Sequence, residues 1–564
     1  MSLTHKAIHF MLISNRNLEP DIMKNKITYQ KFFLTAASFF LVCFLLQCSF
    51  QKVALWDSGE KESGLYYYEL EALASRVETT SKKASPPDGT LLITYPYNGS
   101  IFPPEIASPT VTWKDEDPRS RFWLVSIKFE DGRKPIFILT NQRSWMPERR
   151  TWETIKDHSK EKMAILSVYS LTDRESGIIL SEHAISIGTS KDSVGDSVFF
   201  RQIPIPFAVA SKSFEKTRWR LGDISSYEKP ATVMTGISVC ASCHVFSSDG
   251  KWLSMEYNYG NDNGAQFITP VRKEIILKKE DFFTWSDFPR RGVIPPTRGL
   301  FGRMSPSGRY AAASVNEISY AAVMNDAAYS QLFFPTFGVI AIYDSVSGSI
   351  QLLPGASDYS YVQANPVWSP DEKHLLFCQA KTKNELHSNI RNVTTVFENR
   401  NIHQLNELYN IRFDLYRIPF NNGCGGTAEP IKGASGNSMS NYFPRYSPDG
   451  KWVVYTKSRS GIMLQPDSNL WIVPAGGGEA RQMQCNRNFF NSWHSWSSNG
   501  RWLLFSSKVN GPYTEIFLTH VDEEGKDTQP VLLSRFNDQG YAANVPEFVP
   551  VHSDAIRSIK VLDP

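Results

Sequence analysis

Short runs of strand-forming residues recur along most of this chain, and Gly, Pro, Asp or Ser residues separate them. Residues 452–455 (Trp-Val-Val-Tyr) and 502–505 (Trp-Leu-Leu-Phe) are two such runs, each directly after a turn-like segment. β-Branched and aromatic residues bounded by turn formers indicate strands rather than helices. A content of 13% aromatic residues with 33 prolines and 34 glycines fits the same reading. The pattern predicts an all-β, turn-rich protein.

Five segments repeat one order of residues. Each has a bulky apolar residue, a serine, a Pro-Asp-Gly-like turn, a basic residue and then a strand-like run. Serine, proline, aspartate and glycine suit the positions of a type I turn, so each copy predicts a hairpin. The spacing varies between 50 and 78 residues, and the polar stretch 381–410 reads as an insertion. The five copies are marked by Ser247, Ser305, Ser369, Ser447 and Ser497.

These repeats resemble those of TolB-type β-propellers, in which each Ser-Pro-Asp-Gly-Lys copy opens a four-stranded blade. The resemblance covers roughly residues 230–564. It implies a six-bladed TolB-like propeller over residues 201–564, with seven blades as the alternative. Residues 544–550 echo residues 365–370 as a decayed sixth copy. We expect strands from about 200–235 to complete that copy and close the ring, which would hide the sheet edges.

Residues 91–200 form a second region of short strands before the propeller. Their spacing predicts an immunoglobulin- or fibronectin III-like β-sandwich, with residues 153–158 as a helical crossover. Residues 49–90 are polar and predict a short helix followed by a tether.

The N-terminal 48 residues predict export. Met23 is followed by lysines and then by an apolar run over residues 32–46, as in a signal peptide. This pattern predicts Met23 as the true start, with residues 1–22 as an upstream extension. Residues 45–48 (Leu-Leu-Gln-Cys) resemble a bacterial lipobox, which implies lipidation of Cys48, although Gln47 departs from the small residue expected there. An uncleaved signal anchor is the alternative. The expected location is the periplasm or outer membrane of a Gram-negative bacterium.

The charge balance narrows the class of partner. The formal net charge is +3 over 564 residues without a long basic run, which disfavours nucleic acid. The partners expected are a membrane, through the lipid anchor, and an unidentified protein of the cell envelope.

The most specific chemical motif is the C-x-x-C-H run of Cys240, Cys243 and His244. Two thiols at this spacing can form thioethers with the vinyl groups of a haem, and the adjacent histidine can ligate its iron. The motif therefore predicts a c-type haem. The alternatives are a reducible disulfide, a partial zinc site or a relic without a bound group.

The aligned repeats contain a candidate for a second iron ligand. Three positions before the repeat serine, only two copies carry histidine, namely His244 and His494. His494 is thus one candidate, and Met255 and Met234 are rival thioether ligands close to the motif. An open sixth position is a further alternative.

Two classes of function follow. The chain contains no G-x-S-x-G elbow, P-loop or H-E-x-x-H motif, so an enzyme of those classes is not indicated. The combination of TolB-type repeats with C-x-x-C-H looks like an exported family often labelled cytochrome c-related, which implies electron transfer or another redox role. The alternative is a haem-free, non-enzymatic propeller that serves as a scaffold for protein or glycan binding.

Overall fold

The computed structural model describes residues 67–83, 90–205, 210, 212–239, 241–292, 294, 296–322, 329, 332–382 and 402–562. Cys48, the leader and Cys240 lie outside these residues. The chain divides into two compact units, Met1–Ala72 and Leu73–Pro564. Only residues 67–72 of the first unit are described, as the start of the helix Tyr67–Lys83. This helix confirms the short helix predicted in the tether.

Residues 91–189 form two β-sheets that share a core. Trp113 and Trp123, from the two sheets, both belong to this buried cluster, and the helix Arg149–His158 adds Trp152 and Ile155. The predicted sandwich and its helical crossover are therefore present. The three-stranded sheet contains Leu91–Tyr95, Val111–Asp115 and Ser144–Trp145, and the five-stranded sheet contains Ser100–Phe102, Ile179–Thr189, Met163–Leu171, Phe122–Phe129 and Ile136–Thr140.

Most of the remaining described chain forms the blades of a β-propeller: four antiparallel sheets have four strands each, and one eight-stranded sheet consists of two four-stranded units joined by the parallel pair Gly338–Val362. Six such blades occur among the described residues, and we number them in chain order. Blade 1 contains Ser197–Pro204, Arg218–Gly222, Ala231–Met234 and Tyr541–Val549; blade 2 contains Ala241–Phe246, Trp252–Tyr257, Ala265–Pro270 and Phe282–Thr284; blade 3 contains Arg303–Met304, Tyr310–Ala322, Leu332–Asp344 and Ser349–Leu352.

The remaining three blades follow the same plan. A helix, Ile402–Leu408, lies in the predicted insertion between the second and third strands of blade 4. Blade 4 contains Tyr361–Trp368, His374–Lys381, Asp414–Pro419 and Glu429–Pro430; blade 5 contains Ser440–Tyr446, Trp452–Ser458, Asn469–Pro474 and Arg481–Gln482; blade 6 contains Asn491–Trp496, Trp502–Ser507, Glu515–His520 and Val531–Leu532.

Blade 1 joins the two ends of the propeller sequence. Its innermost strand, Tyr541–Val549, pairs antiparallel with Ser197–Pro204, which confirms the predicted closure. The innermost strands of successive blades contact one another around the ring, and blade 6 contacts blade 1. A second link comes from Ser558–Val561, which pairs in parallel with Glu274–Leu277 beside blade 2. Closure leaves the inner edge of each sheet covered by its neighbours.

The repeated serine and aspartate build the hairpin after each innermost strand. In blade 2, Ser247 Oγ donates to Asp249 Oδ1 at 2.7 Å and accepts from the backbone N–H of Trp252 at 3.0 Å. Blades 4 and 5 repeat these contacts with Ser369 and Ser447, and in blade 6 Asn499 takes the place of the aspartate. These aspartates are therefore explained by their turns and need no catalytic role.

The sandwich and blade 6 share one hydrophobic core. Trp502 and Leu504 belong to the same buried cluster as Trp152 and Val194. Two polar links accompany this contact: Trp502 Nε1 donates to the Asp192 carbonyl at 3.0 Å, and the backbone N–H of Ser498 donates to Asp196 Oδ2 at 2.6 Å. The sandwich is thus packed onto the propeller rather than tethered beside it.

One buried carboxyl makes stability depend on pH. Glu317 in blade 3 is buried, and only Oε1 is hydrogen-bonded, by the backbone N–H of Arg298 at 2.6 Å. Burial raises its pKa from 4.5 to about 8. Ionisation of Glu317 is disfavoured in the folded state. The contribution of its neutral form to the free energy of unfolding is therefore fully present below about pH 4.5 and is lost as the pH rises through 8.

We therefore expect Glu317→Gln to stabilise the protein at pH 8 relative to wild type by roughly 4 kcal/mol, and to have little effect at pH 4.5. Urea unfolding at the two pH values measures this difference. Glu280→Gln, at an exposed position, is the matched control and should give no such difference. Equal effects of Glu317→Gln at both pH values would contradict the assignment.

The described residues contain no helix that is both long and apolar enough to cross a membrane.

Candidate functional site: the central cavity of the propeller

The innermost strands of all six blades line one central cavity of about 390 Å³. This volume lies within the range of roughly 300–1,000 Å³ typical of small-molecule and cofactor sites. Each blade contributes equivalent residues, which are best numbered from the repeat serine. The positions four and two residues before it define an upper layer and a charged layer. The upper layer comprises Cys243, Phe301, Asn365, Phe443, Trp493 and Val545, and the charged layer comprises Val245, Arg303, Val367, Arg445, Ser495 and Glu547.

The residues of the upper layer have an unusual backbone conformation. In five blades its residue has a positive φ, between 49° and 59°, a region that non-glycine residues rarely adopt. In blades 1, 4, 5 and 6 this residue and the next are left out of the strand pairing as a β-bulge. Bulges redirect side chains and often lie next to binding sites. The five residues with positive φ are Phe301, Asn365, Phe443, Trp493 and Val545.

The upper layer is mostly apolar. Phe301 and Phe443 meet edge to face with ring centroids 5.2 Å apart, and Trp493 lines the same cavity. Cys243 is the only thiol among the described lining residues. A ligand in this layer would therefore contact aromatic rings and one sulfur atom.

The charged layer lies about two residues along the strands from the upper layer. Arg303 and Arg445 supply two guanidinium groups, and Glu547 supplies a carboxyl. Burial raises the pKa of Glu547 to about 7, against the opposing effect of Arg303. Glu547 Oε1 accepts from the backbone N–H of Phe246 at 3.1 Å, whereas Oε2 has no hydrogen-bond partner.

Cys243 lies in the bulge of blade 2. Strand pairing skips Ser242 and Cys243, between the pairs Ala241–Tyr257 and His244–Met255. Burial, reinforced by Glu256, raises the pKa of the Cys243 thiol to about 12, so the thiol is protonated at neutral pH. Ser242 Oγ donates to Glu256, which also accepts from Gly302 N–H at 3.0 Å. These contacts fix the loop that holds the thiol at the cavity wall.

His244 is fully buried next to this thiol. Its ring packs edge to face on Phe199 at 4.7 Å, and Nε2 lies 3.9 Å from Glu547 Oε2. Neither ring nitrogen makes a hydrogen bond of normal geometry, although nearby backbone groups of Val545 and Phe199 favour the charged ring slightly. Burial, then Arg303 and Arg201, lowers its pKa to about 3. The ring is therefore neutral, as ligation of a metal requires.

His494 lies in blade 6 and, unlike His244, lines the cavity. Its Nε2 lies 2.9 Å from the Val454 carbonyl. Because a carbonyl only accepts, Nε2 carries the proton and the lone pair is on Nδ1, which has no partner. Burial lowers the pKa of His494 to about 4. His494 is part of a bulge, whereas His244 is paired, so the two aligned histidines are not structurally equivalent.

The methionine candidates lie in the core beside the motif. Met255 is paired directly opposite His244 and is fully buried, so the two side chains lie on the same sheet face. Met234 is buried in the same hydrophobic cluster. The structure thus brings Cys243 and His494 to the cavity, and it places His244 and Met255 immediately behind its wall.

The residues present fit a c-type haem in their chemistry. A thiol lines the cavity, the next residue is a neutral imidazole whose nitrogens make no hydrogen bond of normal geometry, and aromatic side chains occupy the same layer as the thiol. Two guanidinium groups stand in the layer below. His244 itself is not among the lining residues, but its Nε2 lies 3.9 Å from Oε2 of Glu547, which does line the cavity. No three His, Cys, Asp or Glu residues of the described chain cluster as a metal site, at the cavity or elsewhere.

Sequence reasoning missed the two cavity arginines, Glu547 and the aromatic upper layer. The signal was present in the repeat alignment, because the charged and upper layers occupy fixed positions before each repeat serine. The histidines singled out in the sequence lie three positions before the repeat serine, between the positions of the two layers.

No family model matches this sequence, and no curated protein matches it. Among solved structures, the chain is similar to TolB from Acinetobacter baumannii, with a TM-score of 0.39 and 13% identity over 69% of this chain and 80% of that one. A putative TolB from Agrobacterium tumefaciens gives 0.32 and 15% over 63% and 99%. An oligogalacturonate lyase from Vibrio parahaemolyticus gives 0.34 and 13% over 54% and 70%. Similarity at this level says nothing about activity.

Proposed function

We propose that this chain is an exported propeller protein that carries one c-type haem in its central cavity and serves in electron transfer or another redox role. Cys240 and Cys243 would attach the haem, and His244 would ligate its iron. The observation that carries the proposal is the position of Cys243 in the cavity wall, directly before a buried, neutral imidazole whose nitrogens make no hydrogen bond of normal geometry.

The residues around the cavity would support a haem through their burial and position. Burial keeps His244 neutral, so its nitrogen lone pair is available without loss of a proton. Phe301, Phe443 and Trp493 would exclude water from the upper layer. His494, through Nδ1, and Met255 are the candidates for a second iron ligand. Bound haem would supply a one-electron iron couple, which the surrounding dielectric and ligands tune.

The protein would act in the cell envelope. The leader over residues 23–48 and the lipobox-like Cys48 support export and a lipid anchor, and c-type haem attachment takes place outside the cytoplasm. An envelope protein would be the redox partner. A haem-free propeller scaffold is the alternative that the experiment below separates.

The test is a haem stain of denatured protein from a host with a working c-type maturation system. We expect the wild type to stain and the double variant Cys240→Ala/Cys243→Ala to lose the stain completely, because no thioether remains. Cys424→Ala, at an exposed cysteine of blade 4, is the matched control and should stain as wild type does. Circular dichroism should show all three proteins folded.

Absence of stain in the wild type, in a host that matures a known cytochrome c, would refute the haem proposal. The protein would then be a propeller scaffold.

A further inference from the structure

Among the described lining residues, the two cavity arginines meet one carboxyl group, Glu547, and Arg303 acts on it from beyond ion-pair distance. Arg303 of blade 3 and Arg445 of blade 5 stand on either side of Val367 of blade 4, in the charged layer. Arg303 Nη1 donates to the His244 carbonyl at 3.4 Å, and Arg445 Nη1 donates to the Pro444 carbonyl at 2.8 Å. Neither guanidinium forms an ion pair within the described chain. Each has five N–H donors, so most remain available to a ligand.

The carboxyl group that lines the cavity makes its hydrogen bond in blade 2. Glu547 is the one carboxyl group among the described lining residues. Its Oε1 accepts from Phe246 N–H, and its Oε2 lies nearest to His244, beyond ion-pair distance of either arginine. The charged layer therefore presents two guanidinium groups against one carboxyl that points toward blade 2.

From this arrangement we infer that Arg303 and Arg445 form a carboxylate-binding site inside the central cavity. Guanidinium groups bind carboxylates in a planar, bidentate manner, and a partly desolvated cavity strengthens such bonds. The aromatic upper layer adds contact for an apolar body. The carboxylates have two possible sources: the propionates of a haem, in which case the inference rests on the proposed function, or a small free dicarboxylic acid.

The experiment uses the haem-free protein, expressed without a maturation system, and three probes. Protoporphyrin IX carries two propionates and no iron, its dimethyl ester lacks the charges, and glutarate is a small dicarboxylate. Quenching of tryptophan fluorescence follows the porphyrins, since Trp493 lines the cavity, and calorimetry follows glutarate. Arg303→Gln/Arg445→Gln removes the site. Arg309→Gln, which alters an exposed arginine of the same blade paired with Asp344, is the control.

We expect protoporphyrin IX to bind at least ~10-fold more tightly than its ester, and the double arginine variant to lose this preference. That result supports the site with propionates as its ligand. Binding of glutarate alone, with the same dependence on the two arginines, supports the site with a free acid and counts against haem. The inference is overturned if neither acid binds, or if the double variant binds the acids as tightly as Arg309→Gln does. The ester comparison uses the wild type, so it stands even if the double variant does not fold.

Discussion

A chain that ends at Gly540 is expected not to fold cooperatively. The missing residues include the strand Tyr541–Val549, the innermost strand of blade 1, which pairs with Ser197–Pro204. Ala543 and Val549 on this strand are fully buried. Without the strand, the inner edge of blade 1 is unpaired and the ring is open. The loss should exceed the whole stability of a typical domain, roughly 5–15 kcal/mol.

Urea unfolding followed by circular dichroism measures this effect. A chain that ends at Asp554 is the control, because it keeps Tyr541–Val549 and loses the outer pairing of Ser558–Val561 with Glu274–Leu277 together with the buried Ile556. That control should unfold cooperatively at a lower urea concentration than the full chain. A cooperative transition of the shorter chain at the full-length midpoint would show that closure by the last strand does not hold the propeller together.

The second large effect is expected at the contact between the sandwich and blade 6. Trp502 is fully buried, donates Nε1–H to the Asp192 carbonyl, and meets His520 edge to face at 4.9 Å. Trp502→Ala removes this packing and leaves the carbonyl without its donor. We expect a loss of about 3–5 kcal/mol in the free energy of unfolding, with weaker attachment of the sandwich.

Trp252→Ala is the matched control for this substitution. Trp252 and Trp502 both stand five residues after their repeat serine, and each donates its backbone N–H to that serine at 3.0 Å. Trp252 is 37% exposed, however, because the sandwich covers only blade 6 at this position. Its replacement should cost about 1 kcal/mol. Equal losses for the two variants would mean that the turn, and not the sandwich contact, accounts for the effect.

The repeats were sufficient to predict the propeller because their chemistry is local. Ser447, Asp449 and Gly450 form a turn through hydrogen bonds within six residues, so the pattern survives in the sequence wherever the turn is needed. The closure by Tyr541–Val549 was predictable for a related reason, since an incomplete last copy requires strands from elsewhere. The sandwich followed from strand spacing.

The cavity was harder to predict because it exists only once the ring has closed. Arg303 and Arg445 are 142 positions apart and look like ordinary polar residues of strands until blades 3 and 5 face the same space. The positive φ of Phe443 and Trp493 depends on β-bulges, which the residue types at these positions do not indicate, because bulky aromatic residues rarely adopt a positive φ. His244 and His494 align in the sequence but are not structurally equivalent, because the bulge falls one residue earlier in blade 2 than in blade 6.

The most direct test of the haem proposal is the mass of one tryptic peptide from the wild-type protein, matured in a c-type cytochrome host. Trypsin should release residues 221–251, which contain Cys240, Cys243 and His244, because the Lys229–Pro230 bond resists cleavage. The account predicts a peptide heavier than its sequence by one haem, with absorbance in the Soret region. A peptide with the mass of its unmodified sequence, from a host that matures a control cytochrome, would contradict it.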